Sequence, residues 1–272
     1  MKKASRGRIV VNSVLILLSI FWIFPAVFAI IGMFKKKQEY NLGNFWDLPK
    51  GISLAENLKG IAGTFGMIKG MANSFLYASV SAGAAVIIAI LAAYAISHLK
   101  IKRPMVWFLF IYSGTIFPFQ IYLIPVYKGL TVSQLYDTQL GMILFYTAIC
   151  VPFCMFVLRN YFLSISKEIC ESAKIDGCNS LQILGHIFVP MSTAPLAVIF
   201  LTQFNWVWNE LMFGLTFTKS REIRPVMAAI TLMDKANVPV ILMACVVASI
   251  PTLLLFFLLN KHFEAGYAYQ SK

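Results

Sequence analysis

Charged side chains are what this sequence has fewest of. Lys, Arg, Asp and Glu make up 12% of its 272 residues, whereas a water-soluble domain carries about 25%. With 59% hydrophobic residues, the chain holds more apolar side chain than one aqueous core can bury, which excludes a single soluble domain. Acidic groups are scarcer still, 11 against 23 Lys and Arg, for a net charge of +12. The cations lie in short segments between apolar runs and form no aromatic-interleaved basic face, so nucleic acid is not the partner. His98, His186 and His262 stand apart, without the paired spacing of a metal site. Cys150, Cys154, Cys170, Cys178 and Cys245 lie in or beside apolar segments and form no CxxC pair; Cys150 and Cys154 share a helix face, where two thiols read as packing. No GxxxxGK[ST] sequence occurs, so the chain does not itself hydrolyse nucleotide. No serine, histidine and acid set with recognisable context occurs either, which argues against an enzyme.

What the chain does have is long apolar runs near or above the roughly 20 residues that cross a hydrocarbon core as a helix. Six spans emerge from hydropathy: about Ile9 to Met33, Met71 to Ser97, Met105 to Tyr127, Leu140 to Tyr161, Thr193 to Leu215 and Val238 to Asn260. An even number puts both termini on one side. The first span has a basic front (Lys2, Lys3, Arg6, Arg8), and Val27 and Ala29 would suit a cleavage site, but its apolar stretch exceeds the roughly 7 to 15 residues of a signal core. It reads as a retained helix. Lys and Arg divide 12 to 11 between the two sides of such a bundle, so the positive-inside bias does not fix orientation.

Two connections are long. Phe34 to Gly70, with Trp46, Pro49, Gly51 and Asn57, is polar enough to fold outside the membrane. Phe162 to Ser192 is different in kind: Glu168, Glu171, Lys174 and Asp176 alternate with Ile169, Ala173, Ile175, Leu181, Ile183 and Leu184 at near-helical spacing. That pattern predicts two short amphipathic helices at the membrane surface. Gly177 can take the left-handed conformation that closes the first, and Asn179 or Ser180 can cap the second. Pro190 and Pro195 suit the first turn of a helix, so the chain turns into the fifth span near there.

Within this connection, Glu171-Ser172-Ala173-Lys174-Ile175-Asp176-Gly177, nine residues, and then Ile187-Phe188-Val189-Pro190 resemble the EAA loop of binding-protein-dependent ABC importer permeases, E-A-A-x3-G-x9-I-x-L-P. Ser172 replaces the first alanine and Val189 the leucine. The lead-in from Pro152-Phe153 through Leu158-Arg159-Asn160-Tyr161-Phe162 to Ile165-Ser166-Lys167-Glu168-Ile169 is also similar, with Ser166 where the family usually has proline. Asn73-Ser74, Pro118-Phe119-Gln120, Ile124-Pro125-Val126-Tyr127 and Phe204 to Glu210 narrow the likeness to carbohydrate permeases of the maltose transporter's smaller-subunit type. Lys261 to Gly266 resembles the family's closing segment, without its second glycine-rich turn.

The resemblance implies an all-α membrane protein of about six transmembrane helices with the type I ABC importer transmembrane fold and a cytoplasmic coupling helix. It divides the chain into 1–70, a first helix and extracellular loop; 71–262, the transmembrane core with its EAA loop at 168–190; and 263–272, a cytoplasmic tail. Both termini are then cytoplasmic, in the cell membrane of a bacterial-type cell. The implied function is a permease subunit forming half of the pathway of an ATP-driven carbohydrate importer. Glu168, Glu171, Ala173, Asp176 and Gly177 would couple it to the ATPase. No cofactor is expected in this chain, since ATP would bind to partner subunits. The implied partners are a second homologous permease, a dimeric ABC ATPase, an extracellular sugar-binding protein and membrane lipid.

For the solute, Asn205, Trp206, Trp208, Asn209 and Glu210 supply the aromatic faces, amides and carboxylate that hold sugars. The competing reading is an interfacial aromatic belt with a hydrated carboxylate. Pro125, Pro152 and Pro251 fall inside spans and can bend them, and Ser79, Ser81, Ala82, Gly83, Ala84 and Ala85 in the second span permit close helix packing. A secondary carrier driven by an ion gradient is the alternative, but it calls for ionisable groups at mid-span, and the spans are nearly free of them. A membrane enzyme would need convergent His or Asp clusters, which are not found.

Overall fold

A backbone surrounded by lipid must pair its N–H and C=O groups within its own segment, which a helix does, and each of the long apolar runs is helical. The computed structural model describes residues 6–44, 46–63 and 66–270, with 259–270 as backbone only. Lys2, Lys3 and Lys272 lie outside the described residues, as do the side chains of the closing segment from Lys261 to Gly266. In chain order the helices are α1 (Arg6–Gly32), α2 (Lys37–Leu42), α3 (Leu54–Gly63), α4 (Met67–His98), α5 (Pro104–Tyr112), α6 (Phe119–Val132), α7 (Gln139–Ser164), α8 (Lys167–Ile175), α9 (Ser180–Ile183), α10 (Val189–Met191), α11 (Thr193–Asn209), α12 (Met212–Phe217), α13 (Val226–Thr231) and α14 (Val238–Gln270). A π-helical turn, Leu184–Phe188, joins α9 to α10.

Among the described residues, four helices, α1, α4, α7 and α14, are long and apolar enough to cross a membrane unaided. Two further candidates are bent: Pro104–Thr115 with Phe119–Val132 at 93°, and Ser180–Met191 with Thr193–Asn209 at 77°. The third span, expected as one helix from Met105 to Tyr127, is therefore broken. Its break lies before Pro118, which holds an extended ψ of 133° and disfavours helix in the residue before it. Ser113 and Thr115 hydroxyls bond back to Phe110 and Tyr112 carbonyls at 2.7 and 2.8 Å, and the Tyr122 hydroxyl donates to the Gly114 carbonyl at 2.9 Å. Side chains thus satisfy carbonyls that the interrupted ladder leaves open. Pro125, Pro152 and Pro251, by contrast, are carried inside continuous helices. The fifth span also ends earlier than its hydropathy, at Asn209 rather than Leu215.

The chain forms two compact units. One holds residues up to Ile68 together with Ala229–Ile250; the other holds Lys69–Ala228 and Pro251 onward. In the first, Asn57 ties the end of α1 to α3 by donating to the Met33 and Lys35 carbonyls at 2.7 and 3.0 Å. Trp46 lies against Phe24 and Phe28 of α1, with ring centroids 5.7 and 6.0 Å away.

In the second unit three of the six small residues singled out in α4, Ser81, Ala82 and Ala85, are buried, whereas Ser79, Gly83 and Ala84 are only half-buried and Gly83 faces open space. Tyr77, Ala78, Ser81, Ala82, Ala85, Ala89 and Ala93 are buried along one face, and Ser81 donates to the Ile143 carbonyl of α7 at 3.1 Å. Lipid gives no hydrophobic drive between helices, so this close packing and its hydrogen bond supply the adhesion. At one end of the unit, Asp137 holds a left-handed backbone (φ 58°) and accepts from the Lys219 and Ser220 amides at 2.8 and 3.0 Å. Asn73 of α4 donates to the Glu222 and Arg224 carbonyls at 2.7 and 3.1 Å, and Ser74 accepts from Val226 N–H at 2.8 Å. These bonds fasten the 218–225 loop to α4 and to the turn between α6 and α7.

Candidate functional site

The segment 166–191 shows how short polar residues shape a surface helix pair. Ser166 opens α8 by accepting from Glu168 N–H at 3.3 Å. Gly177 closes it at φ +84°, where its N–H reaches the Lys174 carbonyl at 3.1 Å and Cys178 N–H reaches the Ala173 carbonyl at 2.9 Å. This is a Schellman closure, and the glycine fits because a left-handed residue is strained by a Cβ. Asn179 then caps α9 through Leu181 and Gln182 N–H at 3.1 and 3.0 Å, and Gln182 returns a bond from Asn179 N–H at 2.8 Å. The reciprocal pair is a capping box. The closure expected at Gly177 is present, and of the two candidate caps, Asn179 and Ser180, it is Asn179 that caps α9.

The face this builds is divided. Cys170, Ala173, Ile183, Leu184 and Phe188 point inward and are buried; burial also raises the Cys170 thiol above its ordinary pKa, with Lys174 opposing and Glu171 adding to the shift. Glu168, Glu171, Asp176 and Gly177 are exposed. Between them stand two apolar side chains in the open, Ile175 at 86% and Leu181 at 72% exposure. Carboxylates beside uncovered aliphatic groups make a surface suited to a protein partner. Of the five residues expected to couple, Ala173 alone faces inward.

The second place is an open cavity of about 460 Å³ lined by Phe119, Gln120, Asn205, Trp206, Asn209, Glu210, Leu211, Met212 and Phe213. Four of the five residues expected to meet the solute line it. Trp208 does not: it is 2% exposed and stacks on Phe204 with centroids 5.8 Å apart, because it shares a buried helix face with Phe204, four residues earlier, and stands one residue, about 100° of turn, from Asn209. Asn209 donates to the Asn205 carbonyl and amide oxygens at 2.8 and 2.9 Å. Trp206 faces Phe119 of α6 with centroids 5.5 Å apart, so the break in the third span is what brings Phe119 and Gln120 to the cavity.

Glu210 is neither a freely hydrated carboxylate nor simply a solute ligand. Its oxygens accept from Phe213 N–H at 2.8 Å, Gly214 N–H at 3.0 Å and the Tyr146 hydroxyl at 2.8 Å. With an extended ψ of 131° it ends α11, and its carboxylate supplies the N-terminal bonds of α12. A carboxylate suits that position because the first amides of a helix carry partial positive charge. Tyr146 was not foreseeable, since its partner lies 64 residues on and nothing local in α7 marks it.

A family model described as binding-protein-dependent transport system inner membrane component matches residues 85–269. Across 90% of its length the chain is 29% identical to the probable ABC transporter permease protein YurM of Bacillus subtilis, covering 82% of that protein. It is 28% identical, over 92% of its length and 91% of the relative's, to the trehalose/maltose transport system permease protein MalG of Thermococcus litoralis. Among solved structures, it matches a chain of a bacterial ABC transporter involved in the import of the acidic polysaccharide alginate, with a TM-score of 0.82 and 23% identity over 97% of this chain and 100% of that one. That likeness is one of fold.

Proposed function

The chain belongs to the family of binding-protein-dependent transport system inner membrane components, and from that premise we propose that it is the permease subunit of an ATP-driven carbohydrate importer, forming half of the pathway beside a second, homologous permease. Family membership favours this over an ion-driven carrier. The sugar is suggested by a relative named for trehalose/maltose transport and by a cavity that combines Trp206 with three amides and a carboxylate. An indole face takes the C–H side of a pyranose, while amides and carboxylate take its hydroxyls.

The observation that carries the coupling role is the glycine-closed helix pair, with Glu168, Glu171 and Asp176 exposed beside Ile175 and Leu181. In this reading the pair is cytoplasmic and seats on one subunit of a dimeric ATPase, which binds the ATP that this chain does not. Glu171 meets a cation there in a charge-assisted bond; Ala173 lets α8 sit close to the bundle, and Gly177 sets the angle between the two helices. Both termini are then cytoplasmic, with six spans in the cell membrane, and an extracellular sugar-binding protein delivers solute to the opposite face. ATP-driven closure of the ATPases moves the pair, and the spans above it rock.

Copurification tests the assignment. The complex isolated in detergent contains a second permease and an ATPase, and Glu171→Lys releases the ATPase while the chain still inserts in the membrane. A chain that purifies alone, or a Glu171→Lys variant that retains ATPase and uptake, overturns it.

A further inference from the structure

A surface pair that receives force needs a stiff connection to the spans, and one residue in this structure meets two of them through its side chain and leads into a third through its backbone. Phe188 ends the π-helical turn Leu184–Phe188 and is fully buried. Its ring meets His98 and Tyr94 of α4 edge-on, with centroids 4.6 and 5.1 Å away, and Phe162 of α7 edge-on at 5.1 Å. Tyr94 and His98 are stacked on each other within 7° of parallel, 5.8 Å apart. The third connection is through backbone. The Phe188 carbonyl accepts both N–H and hydroxyl of Ser192, at 3.0 and 2.6 Å, and Ser192 is the fully buried residue between α10 and α11, where the chain bends by 77°. Tyr161 of α7 closes the same corner by donating to the Met191 carbonyl at 2.6 Å.

We propose that Phe188 is the positioning residue through which movement of the surface pair reaches the spans, its ring driving α4 and α7 and its carbonyl driving the bend into α11. This rests on the coupling function proposed above and adds the route. The physical grounds are three. A packed interior has low compressibility and passes displacement on, where a loose one absorbs it. Edge-to-face rings are held in orientation as well as in distance, so the contact resists rotation of the pair under its spans. The π turn adds one residue to a helical turn, a local irregularity that recurs at functional positions; without that extra residue the side chains before and after it would keep a single helical phase. In this segment the extra residue accompanies a ring that faces α4 and α7 and a carbonyl that faces the Ser192 corner.

The distinguishing measurement is solute moved per ATP hydrolysed by the whole complex, with its binding protein, in proteoliposomes. Phe188→Ala is expected to keep the ATPase bound and hydrolysing while solute moved per ATP falls at least tenfold. Phe188→Leu, which fills more of the space, recovers part of it. His98→Ala, at the edge of the cluster, gives a smaller fall without loss of protein. A structural role alone would lower the amount of complex and leave the ratio unchanged. Should Phe188→Ala not assemble, His98→Ala and Phe188→Leu still decide: an unchanged ratio in both overturns the route. Failure of the underlying coupling function shows itself separately, as an ATPase that stays bound and active in transport when Glu171 is Lys.

Discussion

The helix pair at 166–191 and the cavity around Glu210 are built from the same kinds of residue by opposite means. At the pair, each polar side chain acts within a few positions of itself: Ser166, Asn179 and Gln182 all bond to backbone two or three residues away. At the cavity, the decisive bonds are long-range. Glu210 joins α11 to Tyr146 of α7, and Trp206 meets Phe119 across a broken span. A locally determined element can move as a body without losing its shape, which suits a part that transmits force. A site held by distant partners changes shape whenever its helices shift, which suits a part that must bind and then release.

Substitutions that separate the two places sharpen that contrast. The largest effect belongs to Glu171→Lys and Gly177→Asp, each expected to bring uptake to background with membrane insertion intact; the Gly177 change also strains a left-handed position. Uptake assays with quantitative immunoblots check this, and unchanged transport in both would remove the coupling assignment. Next comes Trp208→Ala, which empties a buried site and is expected to cost about 3–5 kcal/mol. It should appear as lower protein level and thermal stability, whereas Trp206→Ala, two positions earlier, should leave stability near wild type and shift the apparent affinity for sugar. Equal effects at the two tryptophans would break the contrast.

Glu210→Ala should be intermediate, since each buried donor left unpaired costs about 1–3 kcal/mol. Tyr146→Phe removes one partner and should cost about 1 kcal/mol, measured as a shift in the thermal midpoint of the purified complex. The smallest effect is expected at Asn179→Ala. Losing that cap costs about 1 kcal/mol and should raise amide exchange in 180–183 without changing exchange around the cavity.

Much of the fold was legible because hydropathy and length decide which runs cross lipid. The break inside the helix pair was legible at Gly177, since glycine closure and capping at 179 or 180 depend on neighbours in the chain, while the π turn Leu184–Phe188 was not. The breaks at Pro118 and Glu210 were not. Hydropathy averages over about 20 residues, so a span interrupted by a few polar or proline positions reads as continuous. Pro125 sits inside an unbroken α6 while Pro118 stands at the break, as the residue before α6 begins, and nothing in the composition around the two separates them. Trp208 groups with its neighbours in the sequence because a polar cluster in a linear chain has no face; helix phase gives it one.

Sequence alone determined that this chain lives in lipid, that it is helical, and that a helix closed by Gly177 is followed by another within 162–192, because those properties rest on transfer free energy and on bonds between near neighbours. Tertiary structure alone decided which of five clustered side chains meet the cavity, that Glu210 is held by Tyr146, and that Phe188 touches two spans while its carbonyl holds the turn into a third. Those depend on helix phase and on contacts across scores of residues, for which a linear chain carries no local mark.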